Sequence, residues 1–206
     1  MRLVLLGSPG AGKGTASVWL ADKLGVPRLV TSDLLKFEIT KESILGLRIK
    51  DFMDRGELVP DDIVIQIVLG KLTVLDGFVL DGFPRTLNQA RTLKDNLDRA
   101  SKSLDFVVYL DVPCEIAMKR NIVRYTCKTC RFSPEPSETS CPMCGGDLEK
   151  RVDDDEETII KRLEAYIKET QPLVDFYSHE GILLRIDANA PINEVHDRII
   201  LGLGLK

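Results

Sequence analysis

Short apolar runs recur along the chain, separated by longer stretches in which apolar positions return every three or four residues. The runs at 3–6, 28–30, 78–81, 105–111 and 182–187 are largely continuous rather than alternating. Such runs suit strands buried on both faces, as in a parallel sheet. Helical spacing predicts helices over 15–24, 61–72, 86–98, 113–123, 156–177 and 191–201. The fifth should break near Pro172, because proline lacks an N–H and crowds the preceding turn. Strand and helix alternate, so the expected fold is α/β, a five-stranded parallel sheet with helices on both faces. Ligands in such sheets bind at the carboxyl ends of the strands, where the 7–15 loop, Asp33, Asp81 to Arg85 and Asp111 all fall.

Two segments break the alternation. Residues 31–60 read as helical and charged, with Gly46 and Gly56 as breaks. Residues 124–154 are polar, rich in proline and cysteine, and poor in core-forming side chains. A segment that short cannot bury enough apolar surface alone, and a metal would supply the missing folding energy. The expected organisation is a core of 1–30, 61–123 and 155–206 carrying two insertions, 31–60 and 124–154.

With 206 residues, 44% of them hydrophobic, the chain suits one domain with a sizeable core. A net charge of −4 argues against a general polyanion-binding surface, so any nucleotide site must be a local basic pocket. No apolar run reaches membrane-spanning length, and no signal peptide is expected. The expectation is a cytoplasmic protein without membrane or nucleic-acid partners.

The first chemistry-bearing motif is Gly7-Ser8-Pro9-Gly10-Ala11-Gly12-Lys13-Gly14-Thr15, set between a strand and a helix. Glycines let the backbone approach an anion closely, and the helix N-terminus aims N–H groups and a partial positive charge at it. Lys13 adds a full charge for the outer phosphates. Gly14 stands where Ser or Thr commonly follows the lysine, and the hydroxyl arrives at Thr15, leaving its ligation of magnesium open. The second motif is Cys127-x-x-Cys130 and Cys141-x-x-Cys144, ten residues apart. In a reducing compartment these knuckles read as a tetrahedral four-thiolate zinc site, with iron and a pair of disulfides as the alternatives. Cys114 reads as a plain structural residue. No Ser–His or Cys–His arrangement is present, and His179 and His196 are expected at the surface or at helix ends.

The motifs together resemble the adenylate kinases, a family of P-loop nucleotide kinases, over essentially the whole chain. The resemblance rests on GSPGAGKGT at 7–15, TSDLL at 31–35, GELVPD at 56–61, LDGFPRT at 80–86, Gln89, DVP at 111–113, Arg120 and Arg124, RVDDDEET at 151–158, Arg162, and QPLVDFY at 171–177. It implies reversible phosphoryl transfer from ATP-Mg²⁺ to AMP, giving two ADP, in a monomer with two mobile insertions. The 31–60 segment would bind AMP and the 124–154 segment would be a zinc-bearing lid, with a shortened span between its knuckles. A loose phosphoryl-transfer transition state needs positioning and charge stabilisation rather than a protein nucleophile.

The resemblance also assigns residues. Gly10, Ala11, Gly12, Lys13, Gly14, Thr15, Arg120, Arg124 and the backbone of Ala190 fall on the ATP side. Thr31, Lys36, Glu57, Leu58, Val59, Gly82, Phe83, Pro84, Arg85, Gln89, Arg151 and Arg162 fall on the AMP side. Lys13, Asp81, Arg85, Arg120, Arg151 and Arg162 would carry the transfer, Asp81 by holding water on Mg²⁺. Gln89 would read the adenine edge, and Phe83-Pro84 is a position where the family often has a cis bond. Asp153 and Asp154 would serve lid closure or helix capping. Lys36 departs from the family's usual arginine. It keeps the charge but loses the fork that binds phosphate oxygens in pairs.

Overall fold

The computed structural model describes residues 1–55, 57–134, 136–150 and 155–205. Five parallel strands, β1 (Arg2–Leu6), β2 (Arg28–Val30), β3 (Phe78–Asp81), β4 (Phe106–Asp111) and β7 (Leu183–Asp187), form one sheet in the order β2-β3-β1-β4-β7. β1 lies in the middle, paired through Leu5 with Asp81 of β3 and through Leu6 with Tyr109 of β4. Its side chains alternate between two cores, which is why the run reads as continuously apolar. Leu3 and Leu5 pack with Leu20 of α1 (Lys13–Leu24) and Ile199 of α9 (Ile192–Gly202). Val4 and Leu6 face the other way, with Val68 of α4 (Asp61–Leu72), Leu93 of α5 (Leu87–Arg99) and Leu173 of α8 (Pro172–His179).

The 31–60 segment contributes α2 (Thr31–Ile39) and α3 (Ile44–Asp54). Gly46 does not break this segment. It lies in the first turn of α3, where the Ser43 hydroxyl accepts its N–H at 3.1 Å. A Cβ there would stand 2.6 Å from the carbonyl of Glu38, so glycine permits the close crossing of α2 and α3. Gly56 lies outside the described residues.

The helix expected over 156–177 is instead α7 (Glu156–Ala165), a wide π-helical turn (Tyr166–Thr170) and α8. Pro172 has no N–H to offer the carbonyl four residues back. The Gln171 N–H reaches Tyr166 at 2.8 Å, five residues back, and the widening is absorbed one turn before the proline. Asp155 caps α7, accepting from the Thr158 N–H at 2.9 Å, and the hydroxyl and N–H of Thr158 hold its carboxyl below the usual range. Asp153 and Asp154 lie outside the described residues.

After α6 (Cys114–Ile122) the chain leaves the core as β5 (Tyr125–Cys127) and returns as β6 (Leu148–Lys150), antiparallel to it. This hairpin carries its own small cluster of Cys127, Phe132 and Cys141, with Cys130 and Leu148. Val18 of α1 packs against that cluster, so the hairpin rests on the helix that starts at the glycine loop. Among the described residues, no helix is long and apolar enough to cross a membrane.

Candidate active site

β1 delivers the chain to the loop at 7–12, and α1 begins at Lys13, two residues before the expected start. Gly12, at φ 94°, is the turn into the helix. Gly10, at φ 86°, packs directly on α6. A Cβ would meet the Ala117 carbonyl at 2.2 Å and Asn121 Nδ2 at 2.7 Å, so any side chain would push the loop off its seat. Asn121 is itself buried and tied to Ala117 at 3.1 Å. Lys13 Nζ donates to the carbonyls of Gly7 at 2.7 Å and Ser8 at 2.9 Å, folding back over the loop. Burial pushes its ammonium down to about 8, against the pull of Asp81 and with the repulsion of Arg85 and Arg124. A bound polyphosphate would reverse that balance.

Asp81 ends β3 beside the loop and is buried. Its Oδ2 accepts from Ser17 Oγ at 2.9 Å, and its carbonyl accepts from Thr31 Oγ1 at 3.3 Å. Arg28 lies close by, with Nη1 3.4 Å from Ser17 Oγ and Nη2 4.0 Å from Asp33. A carboxylate held in this way suits a hard cation that keeps its water. It fits Mg²⁺, whose chemistry would be to shield phosphate charge.

The 82–89 loop follows. Phe83-Pro84 is cis, as the resemblance implies. Arg85 Nε donates to the Gly82 carbonyl at 2.9 Å. Its backbone is held from two sides: the N–H donates to Gln89 Oε1 at 2.8 Å, and the carbonyl accepts from Thr170 Oγ1 at 2.9 Å. The wide turn before Pro172 thus positions an arginine of the site. Gln89 is buried, and its Nε2 donates to Asp61 Oδ1 at 2.7 Å. Asp61 Oδ2 also accepts from Thr86 Oγ1 at 2.7 Å and from Asn88 Nδ2 at 2.9 Å. Gln89 therefore anchors the loop. An amide has two donors and two lone pairs, so these bonds do not exhaust it.

A cleft of about 600 Å³ runs between the loop, α2 and the hairpin. All six expected loop residues, Gly10 to Thr15, line it, as do Asp81, Arg120, Arg124 and Ala190. Of the residues expected on the AMP side, Thr31, Lys36, Glu57, Leu58, Val59, Gly82, Pro84, Arg85, Gln89 and Arg162 line it as well. Phe83 is the exception, because its side chain is fully buried in the core below. Asp111 also falls elsewhere, paired with Arg185 at 2.9 Å. Arg151 lies outside the described residues. Arg120 Nη1 donates to the Ala188 carbonyl at 3.0 Å, tying α6 to the end of β7. Thr15 Oγ1 donates to the Ser133 carbonyl at 2.8 Å, so the hairpin closes over the loop.

The four cysteine Sγ atoms of the hairpin lie within 4.8 Å of one another. Cys127 and Cys144 are 3.5 Å apart, as are Cys130 and Cys141. A tetrahedral zinc with bonds of about 2.3 Å needs sulfur edges of about 3.8 Å, whereas a disulfide needs about 2.0 Å. The set fits zinc. Burial opposes ionisation of Cys127, but the N–H groups of Cys130 and Thr129 and the neighbouring thiols bring it down to about 6. Burial pushes Cys130 up to about 12. Cys114 is exposed at the start of α6.

Pattern reading missed Ser17, Arg28, Asp61, Ser133 and Thr170. All but Arg28, whose partners Gly14, Ser17 and Asp33 are nearby in the chain, support the site through a neighbour distant in sequence. Asp61 itself falls in the GELVPD run at 56–61, and Thr86-x-x-Gln89 has the spacing of a capping box: the Thr86 hydroxyl accepts the Gln89 N–H at 3.2 Å, while the Gln89 amide turns back to the Arg85 N–H. His179 sits at the end of α8 as expected. His196 does not sit at the surface. It is buried against Trp19, because its face of α9 packs on α1.

A family model described as Adenylate kinase matches residues 5–182. The chain is 46% identical over 215 aligned positions to "Adenylate kinase" of Thermodesulfovibrio yellowstonii, covering all of both chains. It is 44% identical to "Adenylate kinase" of Bacillus licheniformis, covering 99% of this chain and 98% of that one. A third relative, "Adenylate kinase" of Caldicellulosiruptor bescii, is 41% identical with both chains fully covered. The glycine loop, the arginine-lined cleft and the cysteine hairpin agree with these matches, and the chain belongs to the adenylate kinase family.

Proposed function

We propose that this cleft transfers a phosphoryl group from ATP-Mg²⁺ to AMP, with the donor on the glycine loop and the acceptor on the 31–60 segment. The observation that carries the reading is the convergence of Lys13, Arg85, Arg120, Arg124 and Arg162 on one cleft beside Asp81. Lys13 and the loop N–H groups would hold the donor's outer phosphates. The guanidinium forks would grip oxygens of the moving group, whose charge spreads in the transition state. Asp81 would hold the waters of Mg²⁺. Lys36 and Arg85 would face the AMP phosphate, with Arg151 approaching from the lid.

Water is the competing acceptor, so the site must be covered before transfer. The Thr15–Ser133 contact is where the lid meets the loop, and closing there would exclude water. We take segments 31–60 and 124–154 as the two moving parts. Zinc in the hairpin would be structural, since four thiolates leave no open position for substrate. The protein acts on free nucleotides as a cytoplasmic monomer. Its net charge of −4 supports free nucleotides over nucleic acid as ligands.

The test is a coupled assay with ATP, Mg²⁺ and each of AMP, GMP, CMP and UMP. Turnover with AMP above the others is expected. Preference for another monophosphate would overturn the acceptor assignment, and absence of turnover with all four would overturn the reaction.

A further inference from the structure

Among the described residues, three besides glycine have a left-handed backbone: Glu42, Ser101 and Arg131. Glu42 and Ser101 follow the ends of α2 and α5, where helices commonly close through such a residue. Arg131 instead follows a knuckle cysteine, and of the three it alone lines the cleft.

The two knuckles allow its cost to be judged within one molecule. In the second, Gly145 follows Cys144 at φ 71°, and its N–H donates to the Cys141 carbonyl at 2.8 Å. In the first, Arg131 follows Cys130 at φ 64°, and its N–H donates to the Cys127 carbonyl at 3.1 Å. The same turn is built twice, once with the residue that suits it and once with a side chain whose Cβ crowds the backbone. Such strain persists where the surroundings over-determine the chain, and it recurs at functional sites. Here Phe132 fixes the following residue. It is buried in the hairpin cluster, and its carbonyl accepts from the Cys127 N–H at 2.8 Å.

The strained residue carries a charge suited to the cleft. Arg131 Nη1 donates to Glu149 Oε1 at 3.0 Å across the hairpin, and both side chains line the cleft. That bond uses one of five guanidinium donors, and it offsets a carboxylate that would otherwise repel phosphate. Ser133, two residues on, accepts from Thr15 of the glycine loop. Arg131 therefore sits on the stretch of hairpin that meets the phosphate loop.

We propose that Arg131 is a further donor-binding residue, a guanidinium that grips the phosphate chain of ATP from a position where glycine would fit with less strain. The proposal rests on the reading that the donor lies on the glycine loop.

The variant Arg131→Gly separates this role from a structural one, because glycine suits the turn and an exposed ion pair contributes little. Its Tm should equal or exceed that of wild type. Its Kd for a non-hydrolysable ATP analogue with Mg²⁺, measured by calorimetry, should rise about three- to tenfold, and KM for ATP should rise with it. Kd for AMP should stay within about twofold. Arg131→Lys keeps the charge without the fork and should recover part of the affinity. An unchanged Kd for the analogue would overturn the proposal, as would equal losses toward the analogue and AMP. A Tm below wild type would also overturn it, making the arginine a strut of the hairpin. Wild-type protein that bound the analogue but turned over no ATP would sink the reaction reading alone, and the two calorimetric affinities would still decide the role of Arg131. Wild-type protein that bound no analogue would overturn the donor placement and this proposal with it.

Discussion

Asp61 is where the 82–89 loop is fastened to the core, and replacing it tests the proposed acceptor site's architecture. Its two oxygens accept from Gln89 Nε2, Thr86 Oγ1 and Asn88 Nδ2 at 2.7, 2.7 and 2.9 Å. Asn88 is exposed and its loss would be made good by water. Gln89 is only 2% exposed, so Asp61→Ala would strand its amide at about 1–3 kcal/mol. Asp61 is also the first residue of α4, where a negative charge against the helix dipole contributes about 0.3–1 kcal/mol. Together these give a loss of about 1–4 kcal/mol, or about 3–16 °C in Tm for a chain of this length. The kinetic consequence should be one-sided. Gln89 holds the Arg85 N–H, so a freed Gln89 lets that arginine drift, and kcat/KM for AMP should fall on the order of ten- to a hundredfold. KM for ATP should change little. Urea unfolding and the coupled assay with each substrate varied in turn would measure both. A stability within about 0.5 kcal/mol of wild type, or equal losses toward ATP and AMP, would refute the reasoning.

Further outcomes follow from the same geometry. Lys13 is charged below about pH 8 in the free protein, and a polyphosphate favours the charged form. Affinity for ATP should therefore be full below pH 8 and fall as pH rises through it, by up to about tenfold per unit. Calorimetry at pH 8.5 in two buffers should show net proton uptake on binding, and a flat affinity up to pH 9.5 would contradict it. Gly10→Ala places a Cβ 2.2 Å from the Ala117 carbonyl, and the resulting shift of the loop should lower kcat/KM for ATP on the order of a hundredfold in steady-state assays. Lys36→Arg should lower KM for AMP severalfold, since the residue lines the cleft and a fork replaces a point charge. An unchanged KM for AMP would remove Lys36 from the acceptor site. Cys144→Ser should reduce bound zinc well below one per chain and lower Tm, read by metal analysis and calorimetry on the same sample.

Much of this was legible in the chain because the signals are local. Continuous apolar runs give the strands of a sheet buried on both faces, and glycine, lysine and helix spacing give the phosphate loop. Two knuckles ten residues apart bring four sulfurs within 4.8 Å. What escaped the pattern is long-range. Thr170 reaches Arg85 across 85 positions, and Thr15 reaches Ser133 across 118. Neither Thr170 nor Ser133 carries a mark in its own neighbourhood. Gln89 shows a different difficulty, since one amide can cap a loop and also read a base. His196 escaped because nothing near it in sequence says that α9 will lay it on Trp19.

The hairpin enters and leaves the core side by side, with Tyr125 paired to Lys150. Its folding information sits in four sulfurs and a few apolar contacts rather than in the sheet. The lid is therefore a cassette. Residues can be added or removed between the knuckles at a chain-entropy cost of about 0.6 kcal/mol per doubling of loop length. Evolution, or an engineer, can thus rewrite the cover of the site without renegotiating the sheet that holds the phosphates.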